Sequence, residues 1–500
     1  MRVGCVWGMC KEACFAGDRV SYYVCSAVQG LTQAQVRYTL GGVFVGLFLA
    51  ALDQTVVATA LPRISEELGG RIWYAWVTVS YLALSTLAAP IFGRLTELYA
   101  RKEVLIAALG LFVGGSVLCG LVPSGLGYFW WLVAARGVQG AGGGALFTLA
   151  FTTLAWLFPP RERSRWAGLI GAVFGLAAAL GPPLGGLLTE HLGWRWTFWI
   201  NIPFGLLSLI LIGRFMPNLP PAGRGQFDWS GTALLAIWAP AWLIGISALG
   251  PSSVVSREVG IVLLVIGILS FVLWLRVERR VASPIFDLSY VQVRTFRYAA
   301  LTGFFFGPAF LGGVTFLPLY LQGVLGQSPS ESGLYLLALT MVSVGATGAV
   351  GAWVSRHGRY KPLLLGASLV LGGVFLVAAT YLPDRLSSGL LIGLLVLVGL
   401  ALAPLQALLS VVAQNDIPTA RVGTVTSAVL FARQMGSSWG LALLNGLYSY
   451  GLAQSQGLLT KGLQWAYAGM AALSAGVIAM VLLLPDIRLR QKRVEDEVRA

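Results

Sequence analysis

Charged side chains are scarce in this chain. Asp, Glu, Lys and Arg make up 11% of its 500 residues, and 57% are hydrophobic. A soluble domain carries about 25% charged residues. Histidine is nearly absent: His191 and His357 both fall in loops and form no cluster, so no metal site is expected. A Gly-x-x-x-x-Gly-Lys-Ser/Thr loop is missing, which argues against transport driven by ATP on this chain. No nucleophile motif with partner residues is found, so neither enzyme chemistry nor a cofactor is expected. The cysteines fit no zinc spacing. Cys5, Cys10, Cys14 and Cys25 crowd into the first thirty residues, and Cys119 reads as a small core residue. The first thirty residues show no cleavable signal peptide. They are expected to be an unstructured extension or the product of a start site set too far upstream.

What is present is a series of long apolar runs between residues 39 and 485. They do not alternate as barrel strands would. Backbone in lipid must satisfy its polar groups within the segment, so the runs read as helices of an all-α membrane protein. Fourteen spans are expected, at about 39–61, 73–92, 104–122, 127–150, 164–187, 196–215, 231–250, 259–276, 299–322, 333–354, 362–381, 388–411, 424–446 and 464–485. The net charge of +14 does not point to nucleic acid, because it is sorted by side. With the N-terminus inside, external loops hold six basic residues: Arg63, Arg71, Arg195, Arg257, Arg385 and Lys461. Arg136 and Arg433 fall within spans, and the other 26 of 34 are cytoplasmic. This positive-inside bias, with an even number of spans, places both termini in the cytoplasm.

A weak internal repeat organises the spans. Gly93 of GRLTELYARK aligns with Gly351 of GAWVSRHGRYK at an offset of 258, and Arg101 aligns with Arg359. The same offset carries the start of span one to the start of span nine. Two six-span bundles are therefore expected, at 37–215 and 298–486. Residues 216–297 would hold two extra central spans and an amphipathic segment, 276–297, on the cytoplasmic interface. An N-terminal cytoplasmic extension, 1–36, and a charged tail, 487–500, complete the chain; the tail could touch anionic lipid. Repeated halves around a central site are a common transporter plan.

One acid lies deep in a span. Asp53 interrupts YTLGGVFVGLFLAALDQTVVATAL, residues 38–61. A carboxylate there is expensive unless it has a task. It reads either as a proton site or as a structural acid permanently paired with a cation. Arg136 is its natural partner, since both side chains fall roughly 12 Å below the outer helix ends. Sequence gives depth and not lateral position, and Arg136 could instead bind backbone carbonyls. Arg433 is a second embedded cation.

Gly137, Gly140, Gly142, Gly143 and Gly144 form a smooth face for close helix packing. Gly181-Pro182-Pro183 should break or bend its span. Mid-span candidates for a cavity between the halves are Tyr81, Phe147, Phe174, Phe306, Phe310, Gln322, Gln406, Arg433, Gln434 and Asn445. Aromatic walls suit lipophilic cations.

Several stretches resemble one family in order. GRLTELYARK resembles the loop signature of the major facilitator superfamily, RGVQGAGGGA its fourth-span motif, and LGPPLGG its fifth-span antiporter motif. LDQTVVATALP, GWRWTFWINIPFG, FDWSG and YLQGVLGQSPSESGL resemble its fourteen-span drug:proton antiporter branch. The likeness covers nearly the whole chain after the first thirty residues. It departs at Glu97, where Asp is usual, at Leu98 and Ala100, and at Ala177, where Gly is common.

The resemblance implies a major facilitator fold and a secondary active transporter, a monomer in the bacterial inner (plasma) membrane. It implies proton-coupled export of lipophilic or cationic drugs by alternating access. Asp53 and Arg136 would couple protons. Gly93, Glu97, Arg101, Lys102, Gly181, Pro182, Gly185 and Gly186 would serve conformational gating. Export of an endogenous lipid, amino acid or secondary metabolite is the alternative, and a non-transporting membrane protein is a third reading.

Overall fold

The computed structural model describes residues 31–68, 75–125, 127–218, 226–248, 255–281, 284–327, 329–381, 388–418, 421–455 and 458–490. The N-terminal cysteines, Arg71, Arg385 and the last ten residues lie outside this set.

Fourteen long helices account for most of it. They are α1 (Gln33–Leu68), α2 (Ala75–Leu98), α3 (Arg101–Gly120), α4 (Phe129–Leu157), α5 (Pro160–His191), α6 (Asn201–Phe215) and α7 (Trp229–Ser247). The rest are α8 (Arg257–Glu278), α9 (Arg294–Gly323), α10 (Pro329–His357), α11 (Lys361–Tyr381), α12 (Ser388–Ala413), α13 (Val422–Gln454) and α14 (Leu459–Leu483). Thirteen helices among the described residues are long and apolar enough to cross a membrane. The exception is α13, which carries Arg433, Gln434, Ser437, Ser438 and Asn445.

Local chemistry sets several boundaries. Asp228 caps α7 by accepting from the Gly231 N–H at 2.8 Å, and Ser256 caps α8. The span expected at 196–215 starts as a separate turn, Trp196–Trp199, before α6 begins at Asn201. Pro203 explains the interruption, because it has no N–H for the Trp199 carbonyl. Of the break or bend expected at Pro182 and Pro183, the break does not occur: α5 runs through both prolines. Thr55 of α1 packs beside this stretch, donating to the Leu52 carbonyl of its own helix at 2.9 Å and to the Ala177 carbonyl of α5 at 3.4 Å.

Close helix crossings fall where the sequence places small residues. A Cβ on Gly144 would meet the Ser85 backbone of α2, and one on Gly142 would meet the Phe112 backbone of α3. The glycines of α4 therefore serve two neighbours and not one smooth face. Ala177, Gly181 and Gly185 of α5 lie against Leu52, Thr55, Val56 and Thr59 of α1.

The first six helices meet the last six at the end that bears the GRLTELYARK loop. Four cross-links lie there: Glu97 to Thr424, Glu97 to Arg421, Arg163 to Gln414, and Ser164 to the Gly351 carbonyl. Helix α7 flanks the α2–α13 seam, with Trp238 against Phe431 of α13 at 5.5 Å, and α8 packs on α7. Part of the segment 276–297, expected to be amphipathic, packs inward. Its Ile285 is fully buried, Phe286 packs on Trp274 and Phe431, and Leu288–Gln292 forms a 3-10 turn.

Candidate functional site

Asp53 is 1% exposed and Arg136 is 2% exposed. They meet directly: Arg136 Nη1 donates to Asp53 Oδ2 at 2.5 Å. The other carboxylate oxygen accepts from Gln139 Nε2 at 2.8 Å and from Asn201 Nδ2 at 3.1 Å. Gln139 and Asn201 also both donate to the Ser116 hydroxyl. Arg136 donates as well to Gln139 Oε1 at 2.7 Å, and its guanidinium lies over the Tyr81 ring at 4.3 Å. Five side chains from α1, α3, α4 and α6 thus form one polar knot inside the first six helices. A buried carboxylate facing three donors is well compensated.

Folding explains the convergence. Asn201 is the first residue of α6, so the interruption before Pro203 aims its amide inward. Arg136 and Gln139 are three residues apart on α4 and share a face. Two acceptor or donor atoms in the knot remain without a partner, Asn201 Oδ1 and Arg136 Nε. Gln139, Asn201 and Ser116 were not nominated from sequence, although the first two sit inside quoted motifs. Their signal was polarity within an apolar run. Tyr81 belongs to this knot, not to a cavity wall: it is 1% exposed and donates to the Ala50 carbonyl.

Glu97 forms a second cluster at the seam. It accepts from the Thr424 backbone N–H at 3.0 Å, from the Thr424 hydroxyl at 2.6 Å and from Arg421 at 3.3 Å, and it pairs with Arg94. Its longer arm reaches the first turn of α13, where a negative charge is favoured by the helix dipole. A Cβ on Gly93 would lie 2.8 Å from the Gly423 carbonyl oxygen. Arg101 is buried with its guanidinium 5.7 Å from the Trp156 ring centre, and Lys102 is half-buried. Gly181 and Gly185 pack on α1, whereas a Cβ on Gly186 would meet nothing within 4 Å, and Pro182 is exposed.

The nominated cavity residues divide. Phe147 of α4 and Phe174 of α5 are half-buried and in edge contact at 5.5 Å, and Arg433 of α13 lies over the Phe147 ring at 6.0 Å. These three meet across the two six-helix groups. Phe310, Gln406, Gln434 and Asn445 are half-buried. Phe306 is fully buried against Phe310 and so is core. Gln322 is exposed one residue before α9 ends, so it is not mid-span.

Residues 43–441 match the sequence profile of the Major Facilitator Superfamily. The chain belongs to that superfamily, whose members are transporters and not enzymes. It is 32% identical over 434 residues to the multidrug transporter protein MdtP of Bacillus subtilis, covering 86% of this chain and 78% of that one. Multidrug resistance protein 3 of Bacillus subtilis is 30% identical over 445 residues, covering 89% and 84%. Efflux pump dotC of Dothistroma septosporum is 33% identical over 411 residues, covering 80% and 70%. Two solved structures share the fold. The human organic anion transporter MFSD10 (TETRAN) gives a TM-score of 0.66 at 19% identity, covering 90% of this chain and 99% of that chain. The proton:xylose symporter XylE gives 0.63 at 16% identity, covering 95% and 98%. The superfamily fold accounts for the two groups of six helices and the seam between them.

Proposed function

We propose that this transporter exports lipophilic small molecules in exchange for protons, by alternating access. On this reading it is a monomer with fourteen spans in the bacterial plasma membrane, and both termini are cytoplasmic. The first and last six helices then rock against each other about a central cleft. The Glu97 cluster latches the cytoplasmic end, and the cleft beside Phe147 and Phe174 receives the cargo.

The observation that carries the proton role is the Asp53 knot. Asp53 is an embedded carboxylate whose partners include an amide with a free carbonyl oxygen. With Asp53 ionised, Arg136, Gln139 and Asn201 hold it. With Asp53 protonated, the Asn201 amide can turn and accept the new O–H through the oxygen that now lacks a partner. The Asp53 carboxyl therefore keeps hydrogen-bond partners in either charge state, as a proton carrier must. The names of the multidrug relatives support lipophilic cargo.

Asp53→Asn should abolish dye efflux driven by a proton gradient, while exchange of dye without a gradient persists. Gradient-driven efflux unchanged in this variant sinks the coupling role.

A further inference from the structure

The two embedded arginines differ in one respect. Arg136 is neutralised by Asp53 at 2.5 Å. Arg433 has no hydrogen bond or ion pair to its guanidinium among the described residues, and no carboxylate acts on it. Its guanidinium lies over the Phe147 ring, 6.0 Å from the ring centre.

Its position is central. Arg433 lies eleven residues into α13, and Phe147 lies ten residues before the end of α4, so each is roughly 15–17 Å from its helix end at the side of the Glu97 cluster. The α13 backbone is held close to α9 there: a Cβ on Gly303 would stand 3.7 Å from Arg433 Cβ, and one on Gly307 would stand 3.0 Å from Ser437 N. The side chain reaches from the last six helices to a ring of the first six. Asp53, the one acid deep in a span, is sealed in its own knot and already paired. The other polar residues nominated from the sequence for a cavity, Gln406, Gln434 and Asn445, are half-buried and neutral.

An uncompensated guanidinium in a partly desolvated site raises the local potential and opposes entry of a second cation. An anion with a planar apolar body would relieve it. A carboxylate or phosphate oxygen pair suits the guanidinium fork, and Phe147 and Phe174 offer aromatic faces to the body.

We propose that Arg433 selects amphiphilic anions, so that the cargo carries a carboxylate, sulfonate or phosphate group on an aromatic or apolar body. This rests on the export reading and narrows its substrate class away from lipophilic cations. The occupant could be a soluble amphiphile or an anionic phospholipid, since both present the same group.

The test uses the full-length transporter and a xanthene dye that bears a free carboxylate, beside its methyl ester. Binding to purified protein is read by tryptophan quenching, and efflux is read in a pump-deficient host. The wild type should bind and export the carboxylate in preference to the ester. In Arg433→Gln the carboxylate-to-ester binding ratio should fall about tenfold, the worth of one charge-assisted hydrogen bond. Arg433→Lys, which keeps the charge, should restore part of the ratio.

An ester preference in the wild type, or a ratio unchanged in Arg433→Gln, overturns the proposal. Binding needs no gradient, so a carboxylate preference that survives while gradient-driven efflux fails would sink the export reading and leave the anion site standing. Phosphatidylglycerol that displaces the bound dye, where phosphatidylcholine does not, would identify a lipid as the occupant of the same site.

Discussion

Glu97 of α2 accepts the backbone N–H of Thr424 of α13 at 3.0 Å, so an acid from the first six helices caps a helix of the last six. Arg94 and Arg421 add positive charge to the same carboxylate. Replacing Glu97 by Gln leaves buried Arg94 without its counter-charge. Removing one partner of a buried pair costs about 3–5 kcal/mol. Thermal unfolding of Glu97→Gln in detergent should show a loss of that order. Thr424→Ala should cost less, because the backbone N–H remains. Equal and small losses in both variants would mean that the latch is ornamental.

Gly93 and Gly351 are related by the internal repeat, and each stands where the two groups of helices cross. A Cβ on Gly93 would lie 2.7 Å from Ser427 Cβ, and one on Gly351 would lie 3.1 Å from Arg165 Cα. Either Gly→Ala change should wedge the seam and cost about 1–3 kcal/mol by overpacking. Cysteine cross-linking between α2 and α13, or between α5 and α10, should slow in the matching variant. Unaltered cross-linking in both would count against closure at these crossings.

Asn201→Leu should weaken gradient-driven efflux more than it weakens the fold. The change removes a donor to Asp53 and to Ser116, at about 1–3 kcal/mol for the groups left unpaired. It also removes the oxygen that would accept a proton from Asp53. Efflux and counterflow measured side by side distinguish the two effects. If counterflow falls as much as driven efflux, Asn201 is structural only.

Glu67, at the far end of α1, provides an acid-sensitive tie. Burial pushes its carboxyl up, but hydrogen bonds from Trp194, Arg195 and Ser124 outweigh this and hold it below the ordinary value of 4.5. A depressed folded value means that the tie stabilises the protein fully above about pH 4.5 and is lost as pH falls through the folded value. The wild type should therefore lose stability below that pH to a greater degree than Glu67→Gln. Parallel curves of Tm against pH for the two proteins would refute the tie.

Helices were legible in the sequence because apolar runs of bilayer length leave little choice of structure. The expected spans at 104–122 and 362–381 fall within a few residues of α3 and α11. Depth was legible as well, which is why Asp53 and Arg136 could be matched before their contact was known. Lateral neighbours were not. The knot needed Asn201, whose direction depends on a break made by Pro203, and Ser116, whose hydroxyl was one among many in apolar runs. Tyr81 and Phe306 were misplaced for a related reason: an aromatic near mid-span faces core or cleft according to helix rotation, which a nearly uniform apolar run does not fix. At Pro182 and Pro183 the sequence offered a break or a bend, and helix α5 continues through both without a break.

One helix carries both clusters. Tyr81, which underlies the Arg136 guanidinium, and Glu97, which caps α13, lie sixteen residues apart on α2, about 24 Å along its axis. If transport is proton-coupled as proposed, a change of charge at Asp53 alters what presses on one end of this helix, and the other end is held at the seam by Glu97. Pro90 sits between them as a point of reduced stiffness. On the proposed exchange mechanism α2 would act as a push-rod with a built-in knuckle at residue 90, between the proton site and the seam.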